Sequence, residues 1–143
     1  MTHSSADDTA RQRAARAAKL GLRKLGQAGS DLDSTLEVFQ APAGIGWVTM
    51  TSDEVTALCP VTGQPDYYTI TIRYVPARAC IESKSLKLYL HSFRNEGLFC
   101  EALSVRICDD IMAAADPDEC AVDVAQKARG GIAITAHCER RRG

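Results

Sequence analysis

The order strand, strand, helix, helix, strand, strand along the 143-residue chain predicts an α+β domain, an antiparallel sheet with two helices on one face. Three patterns carry that expectation. Thr69, Thr71 and Arg73 alternate with Ile70, Ile72 and Tyr74, the period of a half-buried strand. Phe99, Leu103, Ile107 and Ile111 recur every four residues, with Met112 beside them, as on one face of a helix. Arg129-Gly130-Gly131 lies between two β-forming runs, Ala121 to Ala125 and Ile132 to Ala136, and has the composition of a hairpin turn.

The remaining elements follow in order. Residues 1–24 form a basic extension in which Asp7 and Asp8 precede Arg11, Arg13, Arg16, Lys19, Arg23 and Lys24. That order suits a helix dipole, but no face holds enough Ala and Leu to demand burial, so the stretch reads as solvated. Residues 25–143 read as a single domain. Its lead-in, Gly26 to Gly46, is loop-rich around Leu36-Glu37-Val38-Phe39, whose role is packing. Trp47 to Thr51 is expected as the first strand and Tyr67 to Val75 as the second, joined by a long loop. After Pro76 and the Ala77-Arg78-Ala79 turn, a helix is expected from Ile81 to Asn95, and Asp116-Pro117-Asp118 stops the helix that follows it. Such a sheet leaves two edges to protect, and assembly with other subunits closes it naturally.

Charge and cysteine content narrow the partners. With 17 basic against 18 acidic residues, nothing in the chain as a whole argues for nucleic acid or an anionic membrane, and a small molecule is the expected partner. The six cysteines form no C-x-x-C pair and His3, His91 and His137 do not cluster with them, so no metal site is expected. Without an apolar signal segment or membrane span the thiols are expected to stay reduced, as in a cytoplasmic protein.

One loop concentrates chemistry. In Ala57-Leu58-Cys59-Pro60-Val61-Thr62-Gly63-Gln64-Pro65-Asp66, two prolines and one glycine fix the path, so Cys59 and Asp66 can face one pocket. The pair suits a soft nucleophile that adds to an electrophilic carbon, with a proton donor for the atom that gains negative charge. Taken alone, the loop equally fits a buried structural cysteine near a turn-forming aspartate.

Three segments together resemble the QueF-type nitrile reductases: Leu58 to Asp66, Glu82 to Leu90 with Ser92-Phe93-Arg94-Asn95, and Arg129-Gly130-Gly131-Ile132. The resemblance runs from about Leu25 to Ala136. It implies a tunnelling fold assembled into an oligomeric barrel, a pentamer-based homo-oligomer or a decamer of stacked rings. It also implies reduction of 7-cyano-7-deazaguanine to 7-aminomethyl-7-deazaguanine with NADPH, on the route to queuosine in tRNA. Cys59 would then form a covalent thioimide at the nitrile carbon and Asp66 would protonate the nitrogen. By the same resemblance Glu101 anchors the purine edge, with Ile81, Glu82, Ser83 and Cys100 lining that pocket, while Lys84, Lys87 and Arg129 hold the cofactor phosphates. Alone, Glu101 reads as a first-turn helix carboxylate, and two lysines three apart read as a wet helix face.

No G-x-G-x-x-G follows a strand, so the nicotinamide is expected to bind without a Rossmann domain, across a subunit boundary. Cys100 stands where the family usually carries histidine. A thiol does not reproduce an imidazole as a proton relay at neutral pH, which keeps two rivals in view. One is addition of ammonia to the nitrile; the other is a deazapurine-binding protein that stops at the thioimide. Relatives that add ammonia lack the lysine helix, which this chain keeps. Cys100 is also a candidate partner for Cys59 in a reversible disulfide.

Overall fold

A computed structural model describes residues 34–143, together with residues 11 and 12. The helix considered for residues 1–24 therefore lies, apart from those two residues, outside the described part. The described elements are β1 (Val38–Gln40), β2 (Val48–Leu58), β3 (Pro65–Val75), β4 (Ala79–Ile81), α1 (Ser83–His91), α2 (Cys100–Ala115), β5 (Glu119–Arg129) and β6 (Ile132–Arg141). A 3-10 turn, Ser92–Asn95, extends α1. The main sheet is antiparallel with strand order β2-β3-β5-β6, and β1 pairs with β4 in a separate antiparallel ribbon.

β3 shows why the sheet has one dry face. Asp66, Tyr68, Ile70, Ile72 and Tyr74 are buried while Pro65, Tyr67 and Arg73 are exposed, as the two-residue period of a strand requires. α2 covers β5 and β6 on that face, with Leu103, Ile107 and Ile111 fully buried against Val122 and Val124. Its C-terminus turns at Asp116, whose φ of 45° is the left-handed conformation that ends many helices.

Several expectations change at the edges of elements. Ile81 is the last residue of β4 rather than the start of a helix, because its partner Val38 draws it into the short ribbon. Leu36-Glu37-Val38-Phe39 is accordingly more than packing: Val38 and Phe39 are strand residues. The first strand runs on to Leu58, not Thr51, because a bulge between Ser52 and Val55, with Asp53 and Glu54 opposite the single Thr69, absorbs one extra residue and lets pairing resume. The second strand begins at Pro65, so Asp66 sits in β3 opposite Ala57. Gly130 and Gly131, at φ 59° and 79°, make the two-residue turn of the β5–β6 hairpin, a geometry that favours glycine at both positions.

Candidate active site

The β2–β3 hairpin presents Cys59 at its tip. The Cys59 N–H donates to the Gln64 carbonyl at 2.8 Å and the Gly63 N–H donates back to the Cys59 carbonyl at 2.9 Å, which closes the loop. Gly63 takes the left-handed φ of 69° that this return path needs. A second segment braces the loop: Leu58 donates to the Glu96 carbonyl at 2.8 Å, and Leu98 donates to the Leu58 carbonyl at 3.1 Å. Glu96 to Leu98 thereby runs parallel to the end of β2 and delivers Cys100 and Glu101, the first residues of α2, to the same end of the sheet.

The surroundings of Cys59 favour its thiolate. Its pKa is drawn down to about 7, first by the Thr62 hydroxyl, then by the backbone N–H groups of Thr62 and Val61, with Arg129 adding to them. The other five cysteines are buried, so among the six only Cys59 is both partly exposed and activated. Arg129 reaches the site from the end of β5 and makes an ion pair with Oδ1 of the buried Asp66. The same guanidinium contacts Cys59, so one cation touches both members of the pair. The β3–β5 register, Tyr68 opposite Gln126, carries Asp66 toward the strand end where Arg129 stands.

The other expected site residues divide into two places. Glu101 is exposed in the first turn of α2, open to a ligand. Cys100 is turned into the core, 1 % exposed, and donates its S–H to the Val124 carbonyl at 3.2 Å. Burial raises its pKa, so it is held as a neutral thiol. Glu82 is buried and caps α1: its two carboxylate oxygens accept from the N–H groups of Lys84 and Ser85, each at 2.7 Å. Ser83 and Lys87 border a cleft of about 820 Å³ between β2 and α1, with His91 beside them and Met50, Ile72 and Leu86 among its apolar walls. Lys84 lies one turn before Lys87 on α1. Arg129, grouped with these lysines by sequence, instead stands at Cys59 and Asp66.

Sequence reasoning missed Thr62 as the main activator of Cys59 and Glu82 as a helix cap. The T-G that follows Cys59 carried the first signal, since a threonine in a tight turn after a thiol can reach back to it. Glutamate is a rare cap, so the second had no clear signal.

Known proteins are similar to this chain. A protein named NADPH-dependent 7-cyano-7-deazaguanine reductase from Anaeromyxobacter sp. (strain K) is 54% identical over 99 residues, spanning 67% of this chain and 81% of the relative. One of the same name from Frankia casuarinae is 44% identical over 123 residues, spanning 86% of this chain and 98% of the relative. Residues 65–143 match the family model described as QueF-like protein. The chain belongs to the QueF-like family. The crystal structure of the archaeosine synthase QueF-Like in the apo form superposes with a TM-score of 0.64 over 67% of this chain and 94% of that one. At 21% identity it shares with this QueF-like protein the fold.

Proposed function

We propose that this QueF-like protein is an NADPH-dependent nitrile oxidoreductase, which reduces 7-cyano-7-deazaguanine to 7-aminomethyl-7-deazaguanine in queuosine biosynthesis. The observation that carries the reading is the activated Cys59 thiol beside the buried Asp66 carboxyl, the two joined by Arg129. The names of relatives at 44% to 54% identity supply the substrate.

The chemistry follows from the site. The Cys59 thiolate adds to the nitrile carbon, forming a C–S bond, while the nitrogen takes a proton from Asp66. The resulting thioimide accepts a hydride more readily than the free nitrile, so covalent attachment divides a four-electron reduction into two steps. NADPH, when bound, supplies hydride. Cys59 must then leave as thiolate before the second reduction, and a thiol with a pKa of about 7 is a good leaving group for that purpose. Glu101 accepts the paired N–H donors of the guanine-like edge.

The cation pair on α1 fits a phosphate-bearing cofactor: Lys84 and Lys87 share a helix face, and Lys87 and His91 line the cleft whose walls are otherwise partly apolar. That helix favours reduction over addition of ammonia. The cleft is lined by β2 residues 49–55, whereas Cys59 follows the end of that strand, so the nicotinamide is assigned to the junction of two subunits. A homo-oligomer is supported by the outer strands β2 and β6, and by the exposed apolar side chains of Val61, Phe99 and Ile132. A pentamer-based barrel is the form proposed, to be tested by light scattering. A nucleophile that works as a thiol needs a reducing compartment, which supports a cytoplasmic location; among the described residues no helix is long and apolar enough to cross a membrane.

The test is the nicotinamide absorbance of NADPH mixed with purified protein and 7-cyano-7-deazaguanine. Loss of absorbance that depends on the nitrile and disappears in Cys59→Ala is expected. No loss with the unaltered chain overturns the reading.

A further inference from the structure

The reaction needs Cys59 and Glu101 at a fixed separation, although Cys59 follows β2 and Glu101 lies in the first turn of α2. One strap, Glu96-Gly97-Leu98, joins the two. Its backbone lies along Leu58, which donates to the Glu96 carbonyl at 2.8 Å and accepts from the Leu98 N–H at 3.1 Å. It also lies against Pro60, since a Cβ on Gly97 would stand 3.6 Å from the Pro60 Cα. The strap thus holds the residues on either side of Cys59, and it leads through Phe99 into α2.

A network of side chains fixes the strap in turn. The Arg106 guanidinium, on α2, pairs through Nη1 with Oε2 of Glu96 at 3.6 Å and through Nε with Oδ2 of Asp110 at 3.4 Å. Its Cζ stands 5.6 Å from the centroid of the buried Phe93 ring. Asp110 is held from α1, where the Tyr89 hydroxyl donates to the same Oδ2 at 2.5 Å, and Tyr89 packs edge-on against Phe93. Both Arg106 pairs are about half exposed, and isolated pairs of that kind add little to stability. A guanidinium that meets two carboxylates and rests on an aromatic ring fixes direction instead.

We propose that Arg106 is a positioning residue for Cys59: through Glu96 it holds the strap that sets the thiol's distance from a substrate anchored at Glu101. The consequence falls on one step. Forming the C–S bond needs the sulfur and the nitrile carbon at near-attack separation, and a small misplacement of either slows the reaction steeply. Activation of the thiol is a separate matter, because Thr62 and the N–H groups of Thr62 and Val61 belong to the turn that carries Cys59. Loss of Arg106 therefore slows attack and leaves both the thiol's acidity and the grip on the purine as they were. This inference rests on the reductase reading above, in which Glu101 anchors the substrate.

The experiment compares the unaltered chain with Arg106→Gln, Arg106→Lys, Glu96→Gln and the Arg106→Gln, Glu96→Gln double variant. For each, intact mass follows thioimide formation with 7-cyano-7-deazaguanine and no NADPH, and iodoacetamide alkylation of Cys59 is followed against pH. Arg106→Gln should form the thioimide about tenfold more slowly, with half-saturation by the nitrile within about twofold and an unchanged alkylation profile. Arg106→Lys should recover part of that rate, because an ammonium meets one carboxylate but does not bridge two. Glu96→Gln should match Arg106→Gln, and the double variant should be no slower than either, as expected for one shared contact. A merely structural arginine would lower the thermal midpoint and leave the thioimide rate of the folded protein unchanged, which would overturn the role of Arg106 and leave the reductase reading intact. Losses that multiply in the double variant would overturn it as well. An unaltered chain that forms no thioimide and oxidises no NADPH would overturn both.

Discussion

Thr62→Val isolates the main source of Cys59 activation. The substitution keeps the shape of the side chain and removes the hydroxyl that donates to the thiolate, the largest of the influences that lower its pKa from 9.0 to about 7. If that bond carries roughly half of the drop, the midpoint moves to about 8, and the thiolate fraction near pH 7 falls about fivefold. A more basic thiolate is also about threefold more nucleophilic, for a Brønsted coefficient of about 0.45. The two effects give a crossing rather than a uniform loss. The alkylation rate falls about threefold near pH 6, about twofold near pH 7, and rises about threefold on the plateau above about pH 9. Intact-mass kinetics with iodoacetamide measure this, since the other five cysteines are buried, and Cys59→Ala sets the background. An unchanged midpoint, or a rate lowered equally at every pH, would refute the assignment of Thr62 as activator.

Other perturbations follow from the same structure. Glu82→Ala removes the cap of α1 and leaves the Lys84 and Ser85 N–H groups without their acceptor, a loss of about 2 kcal/mol read from urea unfolding. His137 lies between Glu139 and Asp123, each bonded at 2.8 Å, and Glu139 first and Asp123 second raise its pKa. A raised value means that the folded state favours the imidazolium. The stabilisation is therefore full below its ordinary pKa of 6.5 and is lost as pH rises through the raised one. His137→Gln should lower the thermal midpoint near pH 5.5 and leave it unchanged near pH 9.

What the sequence revealed depended on periodicity. Ile70, Ile72 and Tyr74 on β3 and Leu103, Ile107 and Ile111 on α2 announce their faces because a long element repeats its pattern several times. Val38–Gln40 and Ala79–Ile81 form strands of three residues, too short to show a period, and they pair only because the chain folds back on itself. Asp53-Glu54 broke the alternation of β2 and hid its second half, although a bulge accommodates both residues.

The site divides in the same way. Cys59 and Asp66 lie seven residues apart on one hairpin, and local turn chemistry was enough to bring them together. The Arg129 contact with Asp66 spans 63 positions, and that distance is set by the β3–β5 register rather than by any motif. The different fates of Glu101 and Cys100, one exposed and one in the core, depend on how the first turn of α2 is seated against β5. Neighbours in sequence on a helix point about 100° apart, so adjacency alone places only one of them toward the ligand.

The central claim is that Cys59 bonds covalently to the nitrile carbon. Intact-mass analysis of the protein incubated with 7-cyano-7-deazaguanine and no NADPH tests it directly. The account predicts a mass increase equal to one nitrile molecule, located on the peptide that contains Cys59 and absent from Cys59→Ala. An unmodified Cys59 in a protein that still oxidises NADPH with the nitrile would contradict it.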